Sequence, residues 1–335
     1  MHKKMPSLCL SAFAVSFSVL AADVEVSFDR ISTRLPDGTR AAAVRIGKVK
    51  SFLPDGSTAV RGSAVTPDGR YVLFTHGFSR YRLPATQLDR GWICSAALSV
   101  RDAHTGKHIN TVMLDDALKG AANPWGVAVN DRWIAVTHSG THEISVIDAP
   151  AFFRRLSAAK GDLSADFGFL SGIRRRIPFR GKGPRDVSFR PDGRIEVRLH
   201  FAETCAVVDP VTGEVWEHSP ESGVSEAVAA DQTRLGELYF NDATLCYQSW
   251  LSCASCHVDG GNDGLFWDFP GSSGKLGDPL ETVDLRTIEA LKPTCVKDSF
   301  LGDHLFVAPP EIVKPTEAYI RSIIGGKRTC DIITP

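Results

Sequence analysis

The sequence predicts two domains, an all-β, propeller-like N-terminal domain and a small all-α C-terminal domain. Three observations in the 335 residues support this division. Turn signals between short apolar runs recur through residues 23–230. In the same stretch His76, His138 and His200 are evenly spaced at 62 residues. Two amphipathic helical patterns lie within residues 231–335.

Residues 1–22 have the pattern of a secretory signal peptide. A basic start precedes an apolar run at residues 8–20, and the small residues Ala21 and Ala22 follow it. The run is shorter than a typical membrane span, and an N-terminal anchor helix is the alternative interpretation. We therefore expect a periplasmic or otherwise exported protein whose mature chain has no membrane span.

Residues 23–230 are rich in strand and turn signals. The triplet Pro-Asp-Gly, in which glycine supplies the positive φ of a tight turn, occurs at 36–38, 54–56, 67–69 and 191–193. Apolar or alternating runs flank the triplets at 67–69 and 191–193. We expect a β-hairpin at each of these two positions.

The three evenly spaced histidines each end a pair of predicted strands, and a second pair follows each of them. Four strands per repeat is the composition of a propeller blade. The interval exceeds the roughly 40–45 residues of a plain blade, which indicates insertions at 83–93 and 152–176. The domain then holds three or four blades, so its ring is open, abbreviated or completed by another chain. Strand-end packing is the preferred role of the histidines, and a ligand or catalytic role is the alternative.

The C-terminal domain contains the segment Cys253-Ala254-Ser255-Cys256-His257. Two cysteines separated by two residues and followed by histidine are typical of c-type haem attachment. Each cysteine sulfur bonds one haem vinyl group, and the neutral imidazole of the histidine is then placed to bind iron. We expect one covalent haem c, attached to Cys253 and Cys256, with His257 as an axial ligand.

Zinc sites and redox-active dithiols also use closely spaced cysteines. A zinc site of four cysteines would need a second Cys-x-x-Cys, which the sequence lacks. A thioredoxin-like dithiol is expected in a βαβ context, which the neighbouring pattern does not indicate. Haem attachment is therefore the preferred interpretation.

Helical patterns lie on both sides of this segment. Residues 232–250 are predicted to form one helix that leads into it, and residues 316–324 a second helix with an apolar stripe. In cytochromes c, two such helices cross beside the haem. Residues 231–335 are accordingly predicted to be a monohaem cytochrome c domain.

Several segments of the chain resemble YVTN-type β-propeller proteins with a C-terminal cytochrome c domain, whose haem module is related to the bacterial di-haem cytochrome c peroxidases. The segments that carry the resemblance are Gly236–Cys246, Ser252–Asp259, Asp263–Asp268, His76–Trp92, Gly120–Val127, Thr137–Asp148 and Gly172–Ile177. One departure is Val258, where the family usually has proline. The resemblance implies a propeller followed by a haem domain over most of the mature chain.

The sixth iron ligand is left open by the sequence. The three methionines all precede the haem segment, although the family carries a ligand methionine in a Thr-Pro-Pro-Ala-Met segment. The resemblance places Cys295 at that position. The alternatives are His304 and a vacant site.

Six basic residues lie close together between Arg174 and Arg185. A solvated loop is their preferred interpretation. Contact with an acidic redox partner or with haem propionates is the alternative.

These patterns favour an exported c-type cytochrome that transfers electrons to or from a redox partner protein, with the propeller binding a partner or ligand. A peroxidase-like haem enzyme that reduces hydroperoxides is one alternative. A single Cys-x-x-Cys-His weighs against it, because di-haem peroxidases need a second haem, and the missing methionine weighs for it. A propeller that serves as a binding module is another alternative. No catalytic residue is assigned, and a net charge of −1 does not point to nucleic acid.

Overall fold

The computed structural model describes residues 24–85, 92–268, 277, 279–288 and 310–324. The predicted signal peptide lies outside these residues, as do both candidate distal ligands, Cys295 and His304. Within the described ranges, none of the helices combines the length and the apolar composition that a bilayer crossing requires.

A small three-stranded antiparallel sheet begins the described chain. Its strands are β1 (Val26–Phe28), β4 (Ala43–Ile46) and β5 (Val49–Phe52), in the order β1-β4-β5. A separate two-stranded hairpin, β2 (Thr33–Arg34) and β3 (Arg40–Ala41), lies between β1 and β4 in the chain and holds the Pro-Asp-Gly triplet at 36–38.

Three four-stranded antiparallel sheets follow, and they confirm a propeller-like β fold. Strands that are consecutive in the chain are neighbours in each sheet, as in a propeller blade. The second sheet contains β6 (Ser57–Val65), β7 (Tyr71–Ser79), β8 (Cys94–Asp102) and β9 (His108–Met113). The third contains β10 (Pro124–Val129), β11 (Trp133–His138), β12 (Glu143–Asp148) and β13 (Arg174–Pro178). The fourth contains β14 (Pro184–Phe189), β15 (Ile195–Leu199), β16 (Thr204–Val208) and β17 (Val215–Glu217).

Both predicted Pro-Asp-Gly hairpins are confirmed. The triplet at 67–69 joins β6 to β7, where Val65 pairs with Val72, and the triplet at 191–193 joins β14 to β15. Gly193 has a φ of 83°, in the left-handed region that glycine enters without steric cost. The triplet at 54–56 instead turns the chain from the first sheet into the second.

Apolar side chains fill the spaces between successive sheets. The first strand of the third sheet, β10, contacts β6 of the second sheet and β14 of the fourth, so these strands lie side by side. Shared clusters of buried residues join Val44 with Phe74, Leu98 with Ile134, and Ile144 with Val197. This packing explains why the strands are rich in valine and isoleucine.

The fourth sheet has one buried apolar face and one outward face, on which Glu196 and Arg198 stand beside Val207 and the exposed Trp216. Alternate residues of β15, beginning with Ile195, are buried, whereas Glu196 and Arg198 between them reach solvent. Arg198 lies 3.8 Å from Asp186, and Glu196 lies 3.7 Å from Arg190. In the described residues, the row of sheets therefore ends on a face that carries both ion pairs and exposed apolar side chains.

The predicted insertion at 152–176 is confirmed between β12 and β13. It contains helix α1 (Ala149–Ala158), which begins where Asp148 accepts a hydrogen bond of 2.7 Å from the backbone N–H of Ala151. Phe152 and Leu156 bury one face of α1 against the sheets. The insertion predicted at 83–93 is described only in part.

The C-terminal region contains helices α2 (Glu226–Ala230), α3 (Gln232–Asn241), α4 (Cys253–Cys256) and α5 (Pro310–Ile323). It also contains a short hairpin, β18 (Phe266–Trp267) with β19 (Leu280–Glu281). The expectation of an all-α domain is therefore wrong for this hairpin. Beside it, the chain bends at Gly264, which has a φ of 73°, and Asp263 accepts a 2.9 Å hydrogen bond from the Trp267 indole across this bend.

The helix predicted over residues 232–250 is shorter than expected. Helix α3 ends at Asn241, because Asp242 leaves helical geometry and accepts a 2.8 Å hydrogen bond from the N–H of Thr244. Two 3-10 turns follow, and Gln248 and Ser249 have positive φ values of 52° and 58°. The second helix was expected at 316–324, but α5 begins earlier, at Pro310, since proline is favoured in a first helical turn.

Helices α3 and α5 cross at Gly236. A Cβ atom at this position would overlap the carbonyl oxygen of Pro315 and press on Cβ of Tyr319. One turn further along α3, the Phe240 ring packs on the Tyr319 ring with centroids 5.1 Å apart. The absence of a side chain at Gly236 is therefore what allows the two helices to approach so closely.

Candidate haem site

The two predicted haem-attachment cysteines lie at the two ends of α4, a single helical turn. His257 follows directly, and its backbone N–H donates a 2.8 Å hydrogen bond to the carbonyl of Cys253. Cys253, Cys256 and His257 are each partly buried. The structure thus brings the three predicted residues together on one face of one turn.

The hydrogen bonds of His257 fix the tautomer of its neutral ring. Its Nδ1 atom lies 3.0 Å from the carbonyl oxygen of Val283 and 3.2 Å from that of Gly261. Because carbonyl oxygens only accept hydrogen bonds, Nδ1 carries the proton and Nε2 keeps a lone pair. Burial lowers the pKa of His257, which favours the neutral ring. A neutral imidazole anchored through Nδ1 is the form that binds iron.

An apolar cluster surrounds the turn. Cys253 and Cys256 pack against buried residues from the C-terminal region, including Leu265 and Ile320. Buried residues of the second sheet and its connections belong to the same cluster, among them Tyr81, Ile93 and Cys94. The two predicted domains therefore share one hydrophobic cluster, and an apolar environment of this kind suits a porphyrin.

The competing interpretations find less support in the described residues. Two histidine pairs, His104 with His108 and His138 with His142, have the spacing of zinc ligands. In the part of the chain that the structure describes, however, no three His, Cys, Asp or Glu side chains converge on a metal site. Burial raises the pKa of Cys256 well above its ordinary value, whereas a redox-active dithiol needs an easily formed thiolate. The residues present fit a covalently attached haem.

An ion pair that the sequence did not predict ties this turn to the propeller. Asp259 follows His257 by two residues and lies 2.6 Å from Arg61 of β6 and 2.9 Å from Arg30. Burial alone would raise the pKa of Asp259, but Arg61 and Arg30 hold it at about 2. Asp259 therefore stays ionised at neutral pH.

Trp125 of β10 stacks between two guanidinium groups. The guanidinium carbons of Arg61 and Arg185 each lie 4.3 Å from its ring centroid. Each arginine also pairs with an acidic residue of the C-terminal region, Arg61 with Asp259 and Arg185 with Glu237. Strands β6, β10 and β14, which carry Arg61, Trp125 and Arg185, are thus connected to the segments that flank the Cys253–Cys256 turn.

The prediction of a solvated loop for the basic residues between Arg174 and Arg185 is wrong for three of them. Residues 174–178 form strand β13, whose alternation directs Arg174 and Arg176 to the same side. Both side chains are largely buried and bind Asp116, and Arg176 also pairs with Glu143. Arg185 is largely buried beneath Trp125.

Two of the three repeated histidines are structural, as predicted, although only His138 ends its strand and His76 lies within β7. His76 and His138 are fully buried, and in each the Nε2 atom bonds a serine on the next strand, Ser99 at 2.7 Å and Ser145 at 2.8 Å. Burial lowers the pKa of His76 to about 4 and of His138 to about 3, so both rings are neutral.

His200 departs from this pattern. Its Nε2 atom lies 3.2 Å from Oε1 of Glu237 on α3, so the bond leaves the sheet. Burial would raise the pKa of Glu237, but His200 and Arg185 lower it below its ordinary value. The third repeat therefore uses its histidine to hold the helix that precedes the haem turn.

Comparisons with known proteins give distant similarities only. No protein-family model matches the chain. Hydrazine synthase subunit beta from Kuenenia stuttgartiensis is 24% identical over 145 residues, which are 41% of this chain and 37% of that protein. The solved structure of Kuenenia stuttgartiensis hydrazine synthase aligns with 20% identity and a TM-score of 0.43, over 56% of this chain and 57% of that one. Virginiamycin B lyase from Staphylococcus aureus aligns with 12% identity and a TM-score of 0.34, over 59% and 60%. The chain spans less than two thirds of each of these relatives.

Proposed function

We propose that the protein is an exported c-type cytochrome that transfers electrons. Haem c would be attached to Cys253 and Cys256, with His257 as an axial ligand. The observation that carries the proposal is the tautomer of His257, the residue that follows Cys256: its Nδ1 atom donates to the Val283 carbonyl, and in the neutral ring Nε2 keeps a lone pair.

The chain's own residues suit electron transfer more than turnover. Bound haem would supply one-electron redox chemistry. Cys253 and Cys256 would fix its position, and the carbonyls of Val283 and Gly261 hold the imidazole of His257 in one orientation. A site held this rigidly changes little between oxidation states, which favours rapid electron exchange.

The finer fold assignment follows from the same region. We propose that residues 231–335 form a cytochrome c domain related to the haem modules of YVTN-type propeller proteins. The close crossing of α3 and α5 at Gly236, beside the haem turn, supports this assignment. The propeller would then dock the redox partner, and residues 1–22 would direct export.

Haem attachment is tested by intact mass. The full-length protein, produced in a bacterium that matures c-type cytochromes, should retain one haem after acid–acetone extraction. The double variant Cys253→Ala with Cys256→Ala should retain none, and the matched control Cys205→Ala should retain one. Covalent haem on the double variant, or none on the parent protein, would refute the proposal.

The sixth ligand separates electron transfer from the peroxidase-like alternative. The three candidates for the sixth position of the iron are Cys295, His304 and a vacant site. A low-spin ferric spectrum that changes in Cys295→Ser but not in His304→Ala identifies Cys295, and the reverse identifies His304. A high-spin spectrum unchanged by both substitutions, together with steady reduction of hydrogen peroxide by a reduced donor, would replace electron transfer by peroxidase activity.

A further inference from the structure

One propeller side chain contacts both serines of the haem-attachment turn. Asn123 precedes β10, and its Nδ2 atom donates to Oγ of Ser252 at 2.8 Å. Its Oδ1 atom accepts from Oγ of Ser255 at 2.9 Å. These serines immediately precede Cys253 and Cys256, so the contact is made at the two positions where haem would be attached.

The amide of Asn123 has a single orientation that satisfies its surroundings. Besides Ser252, Nδ2 donates to the carbonyl of Asn241 at 3.1 Å. A carbonyl can only accept, so the nitrogen must face Asn241 and the oxygen must face Ser255. Asn123 thereby links the end of α3 to the start of α4.

The backbone around Asn123 is built to hold this side chain. Asn123 has a φ of 54°, a left-handed conformation that asparagine tolerates better than most residues. Its carbonyl accepts a 2.9 Å hydrogen bond from the N–H of Ser139. At Gly140 a Cβ atom would lie 2.9 Å from Nδ2 of Asn123, so glycine leaves the space that the amide occupies.

Asn123 also orients the hydroxyl groups inside the turn. The backbone N–H of Ser252 donates to Oγ of Ser255 at 3.0 Å, as part of a capping box. Because the Ser255 hydroxyl donates its hydrogen bond to Asn123, the lone pairs of its oxygen remain available to accept from the backbone N–H of Ser252. A helix of one turn has little stability of its own. The hydrogen bonds of Asn123 to Ser252 and Ser255 stabilise it from another element.

We propose that Asn123 is a positioning residue of the haem site, which holds the Cys253–Cys256 turn in a single geometry; this inference rests on the proposed function. The propeller is then a scaffold of the haem site as well as a docking domain.

The test uses the full-length holoprotein with Asn123→Ala and Asn123→Asp. The aspartate variant keeps the size and the acceptor for Ser255 but loses the donor to Ser252 and Asn241, so it separates hydrogen bonding from packing. The matched control is Asn110→Ala. Asn110 is buried and, like Asn123, bridges separate segments, since it binds the carbonyl of Gly161 and the N–H of Leu163 at 2.8 and 2.9 Å.

Hydrogen exchange of the peptide that spans residues 251–258 is expected to accelerate by on the order of tenfold in both Asn123 variants, as a factor of ten corresponds to about 1.4 kcal/mol. The control should leave it unchanged. The ferric electron paramagnetic resonance spectrum, which reports the geometry of His257 on iron, should broaden in the Asn123 variants alone.

Wild-type exchange in Asn123→Ala, or equal acceleration in the Asn110 control, would overturn the inference. Wild-type behaviour of Asn123→Asp would also overturn it, because the Nδ2 donor that links Ser252 to Asn241 would then be dispensable. If the parent protein carries no haem, the proposed function fails on the mass measurement, while the exchange comparison still decides whether Asn123 holds the turn.

Discussion

The propeller sheets and the haem-attachment turn are stabilised in different ways. Each four-stranded sheet satisfies its backbone through ladders between its own strands and buries aliphatic residues against the next sheet. The turn has one helical turn of its own and is held by side chains from other elements, among them Asn123, Arg61 and Arg30.

The sheets are therefore stabilised by contacts of their own, whereas the turn is stabilised by contacts with other elements. A sheet that loses one side chain keeps its ladders, so we expect it to lose stability without changing the haem turn. The turn depends on contacts made across more than 100 residues of chain. Substitutions at those contacts should therefore affect the turn beyond their effect on global stability.

The largest effect is expected at the helix crossing. Gly236→Ala should lower the free energy of unfolding by about 3 kcal/mol or more, because the new methyl group overlaps the backbone carbonyl of Pro315, which cannot rotate away. Chemical denaturation measures the change. The control is Gly168→Ala in an exposed propeller loop, where only the Asp166 side chain lies near and a change within about 0.5 kcal/mol is expected. Equal losses in the two variants would contradict the role of the crossing.

The repeated histidines give the next test. His138→Ala should cost about 2 to 3 kcal/mol, because it leaves Ser145 and the Ala121 carbonyl without their buried partner. His200→Ala should cost only about 1 kcal/mol, since this side chain is partly exposed. Only His200→Ala should accelerate hydrogen exchange in α3, through the lost contact with Glu237. The comparison fails if His138→Ala is the variant that loosens α3.

The third test is the pH dependence of the Asp259 ion pair. Its pKa in the folded protein is about 2, below the ordinary value of 3.8, so its contribution is fully present above about pH 4 and is lost as the pH falls through 2. Asp259→Asn should cost about 2 kcal/mol at pH 6 and less than about 1 kcal/mol at pH 2.5. Urea denaturation at both pH values measures this, with Asp131→Asn at an exposed position as the control. A cost that does not change with pH would contradict the ion pair.

The sheets were predictable because their signals are local and repeated. Glycine after Pro-Asp set the hairpin turns, and the spacing of His76, His138 and His200 marked the four-strand units that the structure contains. The Cys253–His257 segment was recognisable because the chemistry that it predicts needs three residues at a fixed spacing. Helix α3 was overestimated because its apolar pattern continues past Asp242, where the cap ends it.

The contacts that hold the turn left no such signal. Asn123 and Ser255 are 132 residues apart, and an asparagine before a proline reads only as a turn. Arg174, Arg176 and Arg185 were predicted to be solvent-exposed because clusters of charged residues usually lie on the surface. Alternation was the available clue, since Arg174 and Arg176 share one side of a strand and Arg176 meets Glu143 on the same sheet.

We expect the ion pairs on the outward face of the fourth sheet to oppose the packing of a second molecule on that face. An outward sheet face that exposes an apolar side chain such as Trp216 is a surface against which a second molecule can pack. Here such packing would strip water from Arg198, Glu196 and their partners Asp186 and Arg190, and dehydrating ion pairs opposes association. The ion pairs on this face therefore counteract the attraction that its apolar side chains would have for another molecule.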